Sequence, residues 1–526
     1  LATDTTLTPR DLGLPEKFSS WRPGQWSAIN TAVTTNKRFV AMSMPTGSGK
    51  SVNAVASAIL NGNRSVYLTA TKALQDQLNK DFSSLMRDMR GRQNYQCVHG
   101  DGSKMSCTEG RIMECREAGC PYLADRNDFL AASLGSTNYS YFFSSNMHSE
   151  GVGPVDMLIL DEAHQVIQEL CSAIEIRLDH QKNSYLYDAL SPPPDSITHT
   201  TINFPNQMSE LRTWATYSLP QAQAYLKKIK LDNKTHWLAL TDQFVKTLER
   251  ISTVPDDWIL DNTNPVETLL SPIWPTDYAA QYLFLDIPHI ILVSATLVPK
   301  TLQLLGIKPE ESVFLSQDHT FDPARCPVYL FGPCRVDYKM SEGNFKEVIA
   351  RMDLIISRRL DRKGIIHCVS YKHQERILAQ SEYSHLMIAP KDARHFKKDL
   401  EEFLASPAPS IFISPSVTTG YDFPMDKCEY QILYKVPFID ARSPVMKARA
   451  ESDKEYLPYL TAQILVQTCG RPMRSAEDRS ESFILDQHAN WFLKSPDRGG
   501  YRHLVPSWFM RQIRWPNGLP PTPPKL

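Results

Sequence analysis

Apolar residues in this chain gather in short unbroken runs rather than in long one-sided stripes. Residues 38–43, 66–69, 157–160 and 290–293 each read as a strand buried on both faces, and 52–60, after the first of them, reads as a helix. Buried strands alternating with helical stretches are the pattern of a parallel α/β sheet, whose faces are covered by its own crossover helices. The pattern returns at 364–369, 411–414, 430–434 and 482–485, so two separate α/β domains are expected.

From Gln165 to about Ala280 the pattern changes to helix-like segments, broken at Ser191-Pro192-Pro193-Pro194 and at Ser218-Leu219-Pro220. Strand-like runs resume at Ile290, which makes this region an insertion into the first α/β domain. Its aromatics, such as Trp214 and Tyr225, read as core residues before base-stacking ones. The aromatic and basic stretch 501–515 is expected to be a helix docked on a core. Residues 516–526, with five prolines, read as an extended tail.

Composition narrows the class. Hydrophobic residues make up 42% of the chain and charged ones 22%, which excludes intrinsic disorder. At roughly 150 residues per domain the length allows three or four domains. Lys plus Arg number 57 against 58 Asp plus Glu, a net charge of −1. That balance excludes a polycationic binder of nucleic acid but not a local basic groove. Two basic runs, 358–363 and 391–398, are read as solvated helix faces. No apolar run approaches the roughly 18–20 residues of a membrane helix. The first residues show no basic-then-apolar signal, so a cytoplasmic, reducing location without a membrane partner is expected.

Candidate chemistry begins at Met44-Pro45-Thr46-Gly47-Ser48-Gly49-Lys50-Ser51, between the first strand and its helix. Glycines there let backbone N–H groups turn toward phosphate oxygens, and the helix N-terminus adds positive potential. Lys50 would reach the β- and γ-phosphates, and the Ser51 hydroxyl would ligate Mg²⁺. Met44 stands where the general P-loop pattern has its first glycine. The run Leu158-Ile159-Leu160-Asp161-Glu162-Ala163-His164 ends a strand in two carboxylates. Asp161 is suited to the Mg²⁺ shell and Glu162 to the attacking water.

Four of the ten cysteines, Cys97, Cys107, Cys115 and Cys120, fall close together. Their spacing lacks the paired C-x₂₋₄-C of structural zinc sites and suits a four-thiolate [4Fe–4S] cluster. Zinc and four free thiols stand as alternatives. The other six read as small buried hydrophobes of a reducing compartment.

Further motifs follow in a fixed order. Arg22-Pro23-Gly24-Gln25 precedes the P-loop, and Thr69-Ala70-Thr71-Lys72-Ala73-Leu74-Gln75 and Ser294-Ala295-Thr296-Leu297 follow it. In the second half lie Thr419-Gly420-Tyr421-Asp422-Phe423-Pro424 and Gln467-Thr468-Cys469-Gly470-Arg471-Pro472-Met473-Arg474. Together they resemble the Q motif and motifs Ia, III, V and VI of the superfamily-two DEAH helicases. The cysteines between motifs Ia and II, and the insertion after the DEAH box, resemble the XPD/DinG branch.

This resemblance implies two RecA-like parallel-sheet motor domains, with a small iron–sulfur insertion and a helical arch insertion in the first. The first motor would comprise 1–92, 124–164 and 286–316, the iron–sulfur segment 93–123, the arch 165–285 and the second motor 317–515, with the tail at 516–526. It implies ATP and Mg²⁺ between the motors. Arg22 and Gln25 would read the base, Pro45 to Ser51 would hold the phosphates, and Gly420 and Asp422 would approach from the second motor. Arg471 and Arg474 would neutralise the leaving phosphates, Gln467 would hold the water or the γ-phosphate, and Ser294 and Thr296 would couple the two. Cys97, Cys107, Cys115 and Cys120 would ligate the [4Fe–4S] cluster. The implied activity is 5′→3′ translocation on single-stranded DNA with unwinding of duplexes bearing a 5′ overhang. Two other readings stay open: a translocase or RNA–DNA unwinder that removes proteins or R-loops, and an ATP-regulated nucleic-acid-binding subunit of a larger complex.

Overall fold

A computed structural model describes residues 6–98, 106–112, 119–190, 192–193, 207–231, 235–318, 322–415, 427–470 and 478–516. In chain order the strands are β1 (Phe39–Ser43), β2 (Ser65–Thr69), β3 (Arg87–Asp88), β4 (Leu134–Asn138), β5 (Met157–Asp161), β6 (Ile176–Asp179), β7 (Ile259–Asp261), β8 (Glu267–Ser271) and β9 (His289–Ser294). They continue with β10 (Ser312–Ser316), β11 (Val328–Cys334), β12 (Lys363–His367), β13 (Met387–Ile388), β14 (Ser410–Ser414), β15 (Tyr430–Leu433), β16 (Glu481–Asp486) and β17 (Ile513–Arg514).

Two seven-stranded sheets form, ordered β10-β1-β9-β5-β2-β4-β3 and β13-β14-β12-β15-β16-β11-β17. Every pairing in both is parallel. The central strands are wholly buried, which is why the sequence shows them as unbroken apolar runs. These are the two parallel α/β domains that the pattern predicts, and they match the two motor domains that the resemblance implies. In the first, β9 lies between β1 and β5, with Ser43 opposite Ser294 and Asp161 opposite Val293. Three motif-bearing strand ends are thereby set side by side at the carboxyl edge of the sheet, where ligands of open α/β sheets bind. One apolar core runs from Leu158 and Leu292 of the first sheet through Tyr459 and Leu465 to Trp508, joining the two halves.

Three expectations need correction. The insertion is not purely helical: helices Gln207–Leu231 and Thr235–Ser252 pair around Trp214, Phe244 and Leu248, but an antiparallel sheet, β6-β8-β7, closes their root. Trp214 is buried in that core and Tyr225 packs against it. The stretch 501–515 is not one helix. It is a 3₁₀ turn (Arg502–Leu504), a four-residue helix (Ser507–Met510) and β17. Pro506, without an N–H, stops any helix running through, yet Leu504, Trp508 and Phe509 still dock it on the core. Finally, the run 358–363 is not a solvated face, since Arg359, Arg362 and Lys363 are buried. The other run is solvated as expected, with Arg394, His395, Lys397 and Lys398 exposed, but only its end is helical, since the helix Phe396–Ala405 starts after His395.

The insertion is also tied to the second motor. Arg449, buried on helix Pro444–Ser452, donates to the carbonyls of Ile273 (2.8 Å) and Pro272 (3.3 Å), to Ser271 Oγ (3.1 Å) and to Cys171 Sγ (3.3 Å). Beside it, Trp274 Nε1 donates to Ser452 Oγ at 3.0 Å, and the Trp274 ring meets Tyr456 edge-on.

Candidate active site

The turn after β1 has Gly47 and Gly49 at φ 74° and 84°, in the left-handed region where a side chain would be strained. Lys50 opens the helix Lys50–Asn61 directly after it. Gln25, buried, donates from Nε2 to the Ser48 carbonyl at 2.9 Å, and a Cβ on Gly49 would collide with that amide. The Arg22 guanidinium donates to the Gly47 carbonyl. Ser48 Oγ donates to the Pro45 carbonyl at 2.7 Å. The residues expected to read the base thus brace the loop expected to hold the phosphates.

Asp161 ends β5 and is buried. Burial, then the charge of Glu162, push its carboxyl up to about 6, with Lys50 opposing the shift. Its two oxygens are held by the Glu162 N–H (2.9 Å) and by the Tyr67 hydroxyl (3.0 Å). The Tyr139 hydroxyl donates to its carbonyl at 2.7 Å. Among the described residues, the adjacent carboxylates Asp161 and Glu162 are opposed by Lys50, an arrangement of oxygen donors that fits a divalent cation beside Ser51 and Asp161. Glu162 takes φ 48°, in the left-handed region, which a non-glycine residue rarely adopts and which turns its side chain out of the strand line.

His164 joins this centre to two other motifs. Its Nδ1 lies 2.7 Å from Ser294 Oγ, which in turn donates to Glu162 Oε2 at 3.4 Å. Its Nε2 meets the amide of Gln467. Burial holds the imidazole down to about 4, so it stays neutral. Thr296, also buried, lies beside Ser294, and its N–H donates to Ser294 Oγ at 3.2 Å. Gln467 sits near the end of helix Tyr456–Gly470, and Gly470 lies so close to Thr46 that an added Cβ would be 3.3 Å from its hydroxyl. The second motor therefore presses the start of its last motif onto the phosphate loop of the first. Arg471, Arg474, Gly420 and Asp422 lie outside the described residues.

Of the four clustered cysteines, Cys115 lies outside the described residues. An antiparallel bridge, Gln96 to Ser106, sets Cys97 and Cys107 at matching ends of a small loop, and Cys120 caps helix Pro121–Ala131. Burial raises the Cys107 thiol, the charges of Cys120 and Cys97 raise it further, and the Arg92 guanidinium, 3.5 Å from Sγ, opposes them. Cys97, Cys107 and Cys120 thus lie in one small segment, and their thiols are of the donor type that a four-thiolate site uses. Among the described residues alone, no group of three or more His, Cys, Asp or Glu side chains could hold a metal ion. Of the other six cysteines, five are buried and Cys334 is partly so.

Between this segment and the carboxyl edge of the first sheet lies a cavity of about 780 Å³. Lys72, Arg92 and Arg126 bring positive charge to it, and Tyr122 and Tyr141 bring rings. None of these residues is marked by a site pattern in the sequence, although Lys72 stands inside motif Ia and Arg92 shortly before Cys97. Arg92 also stacks over Tyr122, 3.9 Å from the ring centre.

Comparisons agree with this geometry. The DEAD/DEAH box helicase family matches residues 22–185, and the helicase C-terminal domain family matches 355–506. The ATP-dependent DNA helicase YoaA of Haemophilus influenzae is 24% identical over 593 aligned residues, covering 89% of this chain and 91% of that protein. Among solved structures, an XPD helicase superposes with a TM-score of 0.64 at 13% identity, over 94% of this chain and 98% of its own. Xpd4 of S. tokodaii superposes at 0.59 and 12% identity, over 94% of this chain and 100% of its own. At such identities these structures speak to the fold.

Proposed function

The chain belongs to the DEAD/DEAH box helicases of the XPD/DinG type, and on that premise we propose that it translocates 5′→3′ on single-stranded DNA and separates duplexes bearing a 5′ overhang, driven by ATP. The observation that supports this most directly is the meeting of Gln467 with His164, beside Gly470 on Thr46, because it completes the nucleotide site from both motors. In this reading Lys50 holds the β- and γ-phosphates, and Ser51 and Asp161 hold Mg²⁺. Glu162 takes the proton of the attacking water. Arg471 and Arg474, which follow Gly470, neutralise the charge of the leaving phosphates, with Gly420 and Asp422 beside them. Neutral His164 carries the state of Glu162 to Ser294 and Gln467, so that hydrolysis loosens the second motor's grip.

The strand would pass through the cavity of Lys72, Arg92 and Arg126, whose cations suit phosphates while Tyr122 suits stacking on bases. Cys97, Cys107, Cys115 and Cys120 would hold a [4Fe–4S] cluster, which when bound cross-links the segment framing that cavity.

Strand displacement on paired 5′- and 3′-overhang duplexes tests the reading. Unwinding of the 5′ substrate alone is expected, and unwinding of the 3′ substrate alone would refute the polarity. Displacement of bound protein without strand separation would favour the translocase reading. Protein purified without oxygen should carry about four irons per chain, and stoichiometric zinc would overturn the cluster.

A further inference from the structure

Tyr67 takes part in none of the steps above, yet its hydroxyl stands at the centre of the magnesium site. The side chain rises from β2, the strand next to β5, where Tyr67 lies opposite Ile159. It is fully buried, in the apolar cluster that also holds Val40, Val55, Ile159 and Ile291. Packed this way, the ring cannot swing aside, and its hydroxyl is delivered to one place. There it donates to Asp161 Oδ2 at 3.0 Å, with the Ser51 hydroxyl on its other side.

The donor count fixes the direction of this chain. A phenol has one proton, and an ionised carboxylate only accepts. With the Tyr67 proton committed to Asp161, a bond between Tyr67 and Ser51 has the Ser51 hydroxyl as its donor. A serine that ligates Mg²⁺ uses an oxygen lone pair and must place its proton elsewhere. Tyr67 is the acceptor that the fold supplies, and it leaves the Ser51 lone pairs free for the ion. The same hydroxyl stops the Asp161 carboxylate from rotating away. A phenylalanine would fill the space equally well and do neither.

We propose that Tyr67 is a positioning residue for Mg²⁺: its hydroxyl joins Ser51 to Asp161 and sets both ligands toward the ion. The inference rests on the reading of Ser51 and Asp161 as the magnesium ligands. Groups that orient ligands in this way typically change metal affinity by roughly 10–100-fold when removed.

The test uses the full-length protein and a fluorescent ADP analogue, titrated with MgCl₂ and separately in excess EDTA. In wild type, Mg²⁺ should tighten nucleotide binding. If it does not, the assignment of Ser51 and Asp161 fails, whatever Tyr67 does. If it does, Tyr67→Phe should lose most of that increment, about tenfold or more in the Mg²⁺ requirement, while binding in EDTA stays at the wild-type level. An unchanged Mg²⁺ requirement in Tyr67→Phe would overturn the proposal. So would equal weakening with and without Mg²⁺, the mark of a merely structural role. Ser51→Ala supplies the second arm. Adding Tyr67→Phe to it should change the Mg²⁺ requirement little, because the chain is already broken, whereas additive losses would show independent action. Thermal unfolding of each variant confirms that a folded protein is being measured.

Discussion

Both motor domains bury charge at the ends of their strands, with opposite results. In the second, Arg359 donates from Nε and Nη2 to the two oxygens of Glu481, at 2.7 and 2.8 Å, with both side chains buried. Lys363 Nζ donates to the carbonyls of Phe403 (2.5 Å), Leu404 (3.3 Å) and Ser406 (2.8 Å), at the end of helix Phe396–Ala405. Lys363 and Glu481 are the first residues of β12 and β16, at the sheet edge opposite the carboxyl ends. Their charges are met by an opposite charge or by carbonyl dipoles. In the first motor, Asp161 is the last residue of β5, Glu162 follows it, and Lys50 supplies one positive charge between them. Matched charge at an amino edge holds a fold together. Unmatched charge at a carboxyl edge costs stability until a ligand completes it, and so marks a site.

Substitutions can break this contrast, beginning where the effect is largest. Lys50→Ala should abolish ATP turnover in a steady-state assay, since it removes the lysine whose charge reaches Asp161 and the clamp on the phosphates. Arg471→Ala and Arg474→Ala should each lower kcat by about 10³-fold or more with far less change in nucleotide affinity. A variant that only raises KM would show a ground-state contact instead. Glu162→Gln should keep nucleotide binding while hydrolysis falls by roughly 10²–10⁴-fold, because the amide cannot take the water's proton.

In the second motor the readout moves from turnover to folding. Arg359→Ala leaves buried Glu481 with the more distant Arg362 guanidinium at 3.9 Å and should cost about 3–5 kcal/mol in denaturant unfolding, whereas Arg359→Met combined with Glu481→Leu should recover most of that loss. A double variant as unstable as the single one would show that shape, not charge balance, matters there. The smallest effect is expected at the exposed Arg394–Asp392 pair: Arg394→Ala should leave the unfolding midpoint where it is.

Sequence was a good guide wherever the determining contacts are local. The apolar runs of β1, β5, β9, β12 and β14 announce buried parallel strands, and the turn from Met44 to Ser51 carries its own glycines and helix start. It was a poor guide to short edge strands such as β3, β13 and β17, whose two residues leave no periodic signal. The insertion's sheet was obscured because β6 and β8 pair across some ninety residues of chain, although Ile176-Arg177-Leu178-Asp179 alternates as a half-buried strand should. Arg359 was misread for a similar reason, its partner lying 122 residues away. In the site itself, the loop and the carboxylates could be named from spacing and Gln467 from the family resemblance, while Tyr67 could not, since only the pairing of β2 with β5 makes it a neighbour of Asp161.

The tie between Arg449 and the root of the insertion bears on how this chain can be shortened. Excising 165–285 as a self-contained appendage would remove the Ile273 and Pro272 carbonyls, Ser271 and Cys171 in one stroke. The scar would then lie in the second motor as well as the first, as a guanidinium stripped of the partners recorded there. A trimmed enzyme would need a second edit, at Arg449, with an apolar side chain of similar length such as methionine. Without it, loss of activity after excision would say as much about a buried cation left with Tyr456 in place of its former carbonyls as about the part removed.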